Sequence, residues 1–179
     1  LQLLPGVQTA GEGTTGLFVR GGSADQNLVQ LDGAPVYNAS HFFGVFSVFN
    51  PDALKKVDLY KGNMPSQFGG RASSLIDVSL REGGKDQIHG EGGIGTISSR
   101  LSLEGPLFGK NSSFILSARR TYADVFLKLS SDPNLNNNKL NFYDLSGKFS
   151  FVIGEKDKLS LSTYQGSDLL GLENQFSLG

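Results

Sequence analysis

Hydrophobic and polar residues alternate most regularly between positions 143 and 153. Tyr143, Leu145, Gly147, Phe149, Phe151 and Ile153 fall on one side of an extended chain. Asp144, Ser146, Lys148 and Ser150 fall on the other, with Val152 as the one exception. Gly154-Glu155-Lys156-Asp157 reads as a tight turn, and Leu159 and Leu161 then alternate with Lys158, Ser160 and Ser162. The pattern predicts a hairpin with one apolar and one polar face. Two earlier stretches share the same period. Leu101 and Leu103 alternate with Arg100, Ser102 and Glu104; Phe114, Leu116 and Ala118 alternate with Ser113, Ser117 and Arg119, although Ile115 breaks the rule. The second of these predicts a strand over 113–129. The connection from Gly105 to Ser112 is short, the polar one from Ser130 to Lys139 is long, and the one after Ile153 is short again. Outer-membrane barrels alternate short turns and long loops in this way, and cross the bilayer with strands of about ten residues. A soluble β-sandwich also has alternating strands joined by turns, so the pattern by itself leaves both open.

Residues 1–84 follow a different grammar. Leu17-Phe18-Val19-Arg20, Leu28-Val29-Gln30-Leu31, Val57-Asp58-Leu59-Tyr60 and Leu75-Ile76-Asp77-Val78-Ser79-Leu80 are strand candidates. Between them lies Asn50-Pro51-Asp52-Ala53-Leu54-Lys55-Lys56, which predicts a brief helix. Asn50 is suited to the N-cap and Pro51 to the first helical position, where its missing N–H costs nothing. Asp52 and the two lysines would complement the helix dipole at its two ends. The expectation is a small α+β domain over 1–84, then antiparallel strands over 85–179 with no helix among them.

Composition removes several classes of function. The chain of 179 residues carries 16 Lys+Arg against 17 Asp+Glu, a net charge of -1, so no field favours nucleic acid. With no cysteine, disulfides, thiolate metal sites and cysteine nucleophiles are absent. Gly accounts for 24 residues without a G-X-Y period, which points to many turns. No apolar run reaches the roughly 18 residues of a membrane-spanning helix. There is no signal peptide, and Leu1-Gln2-Leu3-Leu4-Pro5-Gly6 reads like a helix end, so the chain is expected to be a fragment. Two stretches match G-x-G-x-x-G, Gly11 to Gly16 and Gly90 to Gly95, but each precedes strand pattern rather than the helix a dinucleotide needs. The two histidines, His41 and His89, lack ligand spacing, and no G-x-S-x-G elbow occurs. Neither a catalytic residue nor a cofactor or metal is expected, and the chain does not read as an enzyme.

The order of several phrases carries a resemblance. Leu4-Pro5-Gly6-Val7 comes first, then Phe18-Val19-Arg20-Gly21-Gly22, then Leu31-Asp32-Gly33-Ala34-Pro35-Val36-Tyr37-Asn38. Asn50-Pro51-Asp52-Ala53-Leu54 leads into Val57-Asp58-Leu59-Tyr60-Lys61-Gly62, and Pro65-Ser66-Gln67-Phe68-Gly69-Gly70-Arg71 into Leu75-Ile76-Asp77-Val78. In this order they resemble the plug of TonB-dependent outer-membrane receptors, especially the generic type of Bacteroidetes. Ser98 to Leu107 and Ser117 to Tyr122 are similar to the first barrel strands of the same group. The resemblance implies an α+β plug domain over 1–84, followed over 85–179 by the first strands of a transmembrane β-barrel. About five strands are present where plugged transporters of this kind close with roughly 22, so the fragment alone is not expected to insert.

The function implied is uptake of a scarce ligand (an iron chelate, a cobalamin or an oligosaccharide) across the Gram-negative outer membrane. Energy would come through the TonB complex, which grips a segment upstream of Leu1, and outer-membrane lipid would surround the barrel. A signal-transducing receptor is the alternative, and a soluble β-rich binding module the next. Two plug loops are implied to face the ligand. One offers Gly11, Glu12, Thr14 and Thr15; the other offers Tyr37, Asn38, His41 and Phe42, a mixture of aromatic and polar groups. Phe42 and its neighbours Phe43, Val45 and Phe46 could equally pack the plug core. Arg20 and Arg71 match plug arginines that the resemblance implies form plug–barrel or internal ion pairs, a latch to the barrel; Lys61 is assigned the same role but stands where many relatives have Arg, which forks to carboxylates better than Lys. Asp32 is read as a turn former.

Overall fold

The computed structural model describes residues 5–9, 16–122, 125, 128 and 139–171. Two compact units divide between Glu82 and Gly83. In the first unit the strands are β1 (Val7–Thr9), β2 (Leu17–Val19), β3 (Asn27–Leu31), β4 (Ala34–Pro35), β5 (Ser40–His41), β6 (Phe46–Ser47), β7 (Leu54–Tyr60) and β8 (Ser74–Leu80). A four-stranded sheet runs in the order β4-β3-β8-β7, with β3 and β8 parallel and the other pairs antiparallel. β1 pairs with β2 and β5 with β6 as separate two-stranded ribbons. Val29 and Leu31 of β3, Ile76 and Val78 of β8 and Val57 and Leu59 of β7 stand in register, giving the sheet one apolar face.

The Asp32-Gly33 turn joins β3 to β4 with both residues at positive φ, 49° and 84°. That is the geometry of a two-residue hairpin whose twist matches its strands. Asp32 does more than turn: its Oδ1 accepts a hydrogen bond from Leu80 N at 3.2 Å, fixing the end of β8.

The helix expected over Asn50 to Lys56 is a correction. Asn50 does cap, accepting from Asp52 N at 3.2 Å, and Pro51 does start the turn. Yet only Pro51–Ala53 is helical, as one 3-10 turn. From Leu54 onward the backbone is drawn into the ladder with β8, so Lys55 and Lys56 lie in a strand and complement no helix end. Arg81 receives the turn's last carbonyls instead, its Nε donating to Asp52 O at 2.9 Å and its N to Ala53 O at 2.8 Å. The expected α+β character is corrected with it: the unit is built of strands and 3-10 turns.

The second unit is one antiparallel sheet in the order β13-β12-β11-β10-β9. Its strands are β9 (His89–Ile94), β10 (Ser98–Pro106), β11 (Ser112–Thr121), β12 (Lys139–Ile153) and β13 (Asp157–Gly171). The second glycine motif is strand, Gly90 to Ile94 lying in β9. The strand expected over 113–129 ends at Thr121. Tyr122 N still donates to Ile97 O at 2.9 Å, just past the paired end of β10, but the Val125 N–H turns back to Tyr122 O at 3.0 Å, and Val125 and Lys128 are helical.

Register aligns the alternation across strands. Gly105, Phe114, Phe149 and Leu161 form one row of the apolar face, and Leu103, Leu116 and Gly147 lie in the next. The neighbouring polar row is Ser102, Ser117, Ser146 and Tyr164. Exposure is the reverse of a water-soluble sheet. Leu145 is 46% exposed and Ile153 56%, whereas Asp144 is 2% and Ser150 3%. Ile115 and Phe142 sit with the polar set and are buried, which accounts for Ile115 breaking the period. No second sheet of this unit covers the apolar face among the described residues. Among the described residues no helix is long and apolar enough to cross a membrane, a statement that does not bear on crossing by strands.

Candidate functional site

The first unit contains a cavity of about 1010 Å³ between the apolar face of the four-stranded sheet and the segment from Pro35 to Phe49. Val29, Val57, Ile76 and Val78 supply its apolar floor. Those residues share a face because β3, β8 and β7 are in register there, and alternation sends every second side chain to the same side. Tyr37, Asn38, Asp25 and Arg71 bring polar groups to the lining. Tyr37 is 88% exposed, so its ring is available to a ligand.

Asn27 also lines the cavity, but its side chain is spent on the fold. Its Nδ2 donates to Leu17 O at 2.6 Å, and its Oδ1 accepts from Ser74 Oγ at 2.7 Å. Asp25 remains anionic. The Ser23 hydroxyl, donating to Oδ1 at 2.5 Å, holds its carboxyl below the ordinary range, with a smaller contribution from the charge of Arg71. An apolar floor with one anion and one cation among its lining groups can bind and orient an amphipathic molecule. Among the described residues no three His, Cys, Asp or Glu side chains converge as a metal cluster.

Of the residues named from the sequence, the fold brings Tyr37, Asn38 and Arg71 together. His41 and Phe42 stand apart from the lining. His41 is buried at 3% exposure, and its carbonyl accepts from Val45 N at 3.1 Å. Phe42 opens a 3-10 turn at φ 48° and packs edge-on against Phe46 with 6.4 Å between ring centroids, while Val45 is 47% exposed. Gly11, Glu12, Thr14 and Thr15 lie outside the described residues, as does the first glycine motif apart from Gly16.

Arg20 and Lys61 meet at a different place. Lys61 Nζ donates to Pro5 O at 2.7 Å, and Arg20 N donates to Gly6 O at 2.9 Å. The Arg20 guanidinium lies over Gly62, where even a Cβ would come within 2.8 Å of Nη1. The Lys61 ammonium and the Arg20 backbone N–H tie down the turn that leads into β1, while Arg71 stands at the cavity.

In the second unit the sequence reading missed a buried polar cluster. Arg119 Nε and Nη2 both donate to Asp144 Oδ2, at 2.9 and 2.5 Å, and the Tyr164 hydroxyl donates to Oδ1 at 2.9 Å. The guanidinium also sits over the Phe142 ring, 5.1 Å from its centroid. Gly166 makes room, since a Cβ there would overlap the Tyr164 hydroxyl. Only the register of β11, β12 and β13 joins these residues, so no spacing in the sequence signals them.

The family model described as the TonB-dependent receptor plug domain matches residues 1–74. No curated protein and no solved structure matches the chain.

Proposed function

We propose that the chain, whose residues 1–74 match the model of the TonB-dependent receptor plug domain, comes from a transporter in which this plug gates a lipid-embedded β-barrel begun by β9–β13. The family works at the Gram-negative outer membrane with TonB, as receptors and transporters rather than enzymes. The finer reading here is uptake of a scarce ligand such as an iron chelate, a cobalamin or an oligosaccharide, in a receptor of the generic Bacteroidetes type. The ligand contacts Tyr37 and Asn38 at the cavity and lies over its apolar floor. Arg71, exposed at the same cavity, is the proposed latch to the barrel, while Arg20 and Lys61 anchor the plug's own entry turn. A plug of short strands and small ribbons suits a stopper that must seal and yet open locally, because elements with few ladder bonds open at low cost.

The observation that carries the barrel reading is the inverted sheet of the second unit: Leu116 and Leu145 exposed, Ser117 and Asp144 buried. Lipid accepts the first set at no cost in hydrogen bonds, and a polar interior accepts the second. The chain lacks cysteine, so single cysteines can be introduced and labelled in the intact receptor. A fluorophore replacing Leu116 or Leu145 should be quenched by nitroxides dissolved in the bilayer, and one replacing Ser117 or Ser146 should not. Equal or reversed quenching of the two sets would refute the barrel.

A further inference from the structure

We propose that the four-stranded sheet carries a divalent-cation site, of the calcium class, built by Gln30, Asp58 and Asp77. Gln30 on β3 stands opposite Asp77 on β8, and Asp77 stands opposite Asp58 on β7. In-register neighbours project to the same face of a sheet, and strands lie about 4.8 Å apart. Three oxygen-bearing side chains therefore rise in one row, on the face opposite Val57, Ile76 and Val78.

Two features of this row lack an explanation within the fold. The first is the direct opposition of two carboxylates, an arrangement that destabilises a strand pair unless a cation intervenes. Lys56, two residues along the same face, reaches Asp58 Oδ2 at 2.6 Å but keeps 62% of its side chain exposed. That hydrogen bond raises the Lys56 pKa and holds one positive charge beside two negative ones. The second is Gln30. Its residue is 8% exposed, and its Oε1, in the same row as the carboxylates, has no hydrogen-bond partner. A buried amide oxygen left without a donor is unfavourable, and a cation is an alternative partner.

Hard divalent cations fit this donor set. Calcium takes six to eight oxygens at about 2.3–2.6 Å from carboxylates, side-chain amide carbonyls and water, and tolerates irregular geometry. The row contains no imidazole or thiolate, so it does not favour zinc or copper. Two carboxylates and one amide leave several positions to water. Lys56 must also swing away from Asp58, which its exposure permits. Affinity is therefore expected in the weak range of about 10⁻⁴–10⁻³ M.

Terbium is a suitable probe because Tyr60, on the same face two residues beyond Asp58, can sensitise its emission. With the full chain in detergent micelles, excitation of tyrosine should give saturable terbium luminescence that calcium displaces. Asp77→Asn, which keeps the side chain's shape, should weaken terbium binding at least tenfold, and Asp58→Asn should do so independently. Tyr60→Phe should dim the emission while leaving the calorimetric affinity for calcium unchanged. Absence of saturable emission, or an unaltered affinity in both carboxylate variants, would overturn the site.

Discussion

Replacing Asp144 by Ala should be among the most damaging single changes in the second unit, and the structure indicates its size. Asp144 is 2% exposed, and the Arg119 side chain that it holds is 13% exposed. Truncation takes away the carboxylate oxygen to which Arg119 Nε and Nη2 both donate, and removing one partner of a buried pair costs about 3–5 kcal/mol. The Tyr164 hydroxyl loses its acceptor as well, at about 1 kcal/mol. Together, at about 4–6 kcal/mol, these reduce the folded-to-unfolded ratio by roughly a thousandfold to ten-thousandfold. Asp144→Asn should cost less, because an amide oxygen still accepts from Tyr164. Removing both charges, Arg119→Met with Asp144→Leu, should recover much of the loss, since the stranded charge then disappears. The measurement is denaturant unfolding of the intact receptor in micelles, followed by circular dichroism, over the full double-mutant cycle. A loss below about 1 kcal/mol for Asp144→Ala, or single losses that simply add in the double variant, would show that the pair is not buried and coupled as described.

Two smaller effects follow from the first unit. Ser23→Ala should raise the Asp25 titration midpoint toward the ordinary carboxylate value, as read by NMR. The depressed folded-state pKa contributes stability above the unfolded value of 3.8, and that contribution is lost as pH falls through the folded one, so the variant should show less of this acid-side loss. An unchanged midpoint would mean that the Ser23 hydroxyl does not hold the carboxylate. Asp32→Ala should destabilise the plug by about 1–2 kcal/mol, because Ala is poorly suited to the left-handed backbone and cannot accept from Leu80 N, whereas Asp32→Asn should be nearly neutral. Equal melting temperatures for the Ala and Asn variants would contradict this.

Much of the architecture was legible from local pattern. Alternation located β8, β10, β12 and β13, while Asp32-Gly33 marked the turn between β3 and β4 and Asn50-Pro51 the turn before β7. These signals are local because side-chain period, positive φ and a missing N–H are properties of a few consecutive residues. The errors arose where a distant strand decided. Lys55 and Lys56 read as helix because their composition permits it, but pairing with β8 placed them in a strand. Val125 and Lys128 read as strand with the run they belong to, but the Val125 N–H bonds back to Tyr122 O within its own segment and both residues are helical.

The candidate sites divide in the same way. Tyr37 and Asn38 could be named from their loop, whereas Arg71 joins them only because chain far along the sequence returns to the same cavity. Arg20 and Lys61 shared a predicted role with Arg71 and do not share its place. The sequence by itself determined the regularly alternating strands, their two faces and the Asp32-Gly33 turn, since each follows from neighbouring residues. Only the tertiary structure decided which face met solvent and which carboxylates stood side by side. It likewise decided that Asp144 would hold Arg119, because register between strands is set by the whole sheet and leaves no mark in any one of them.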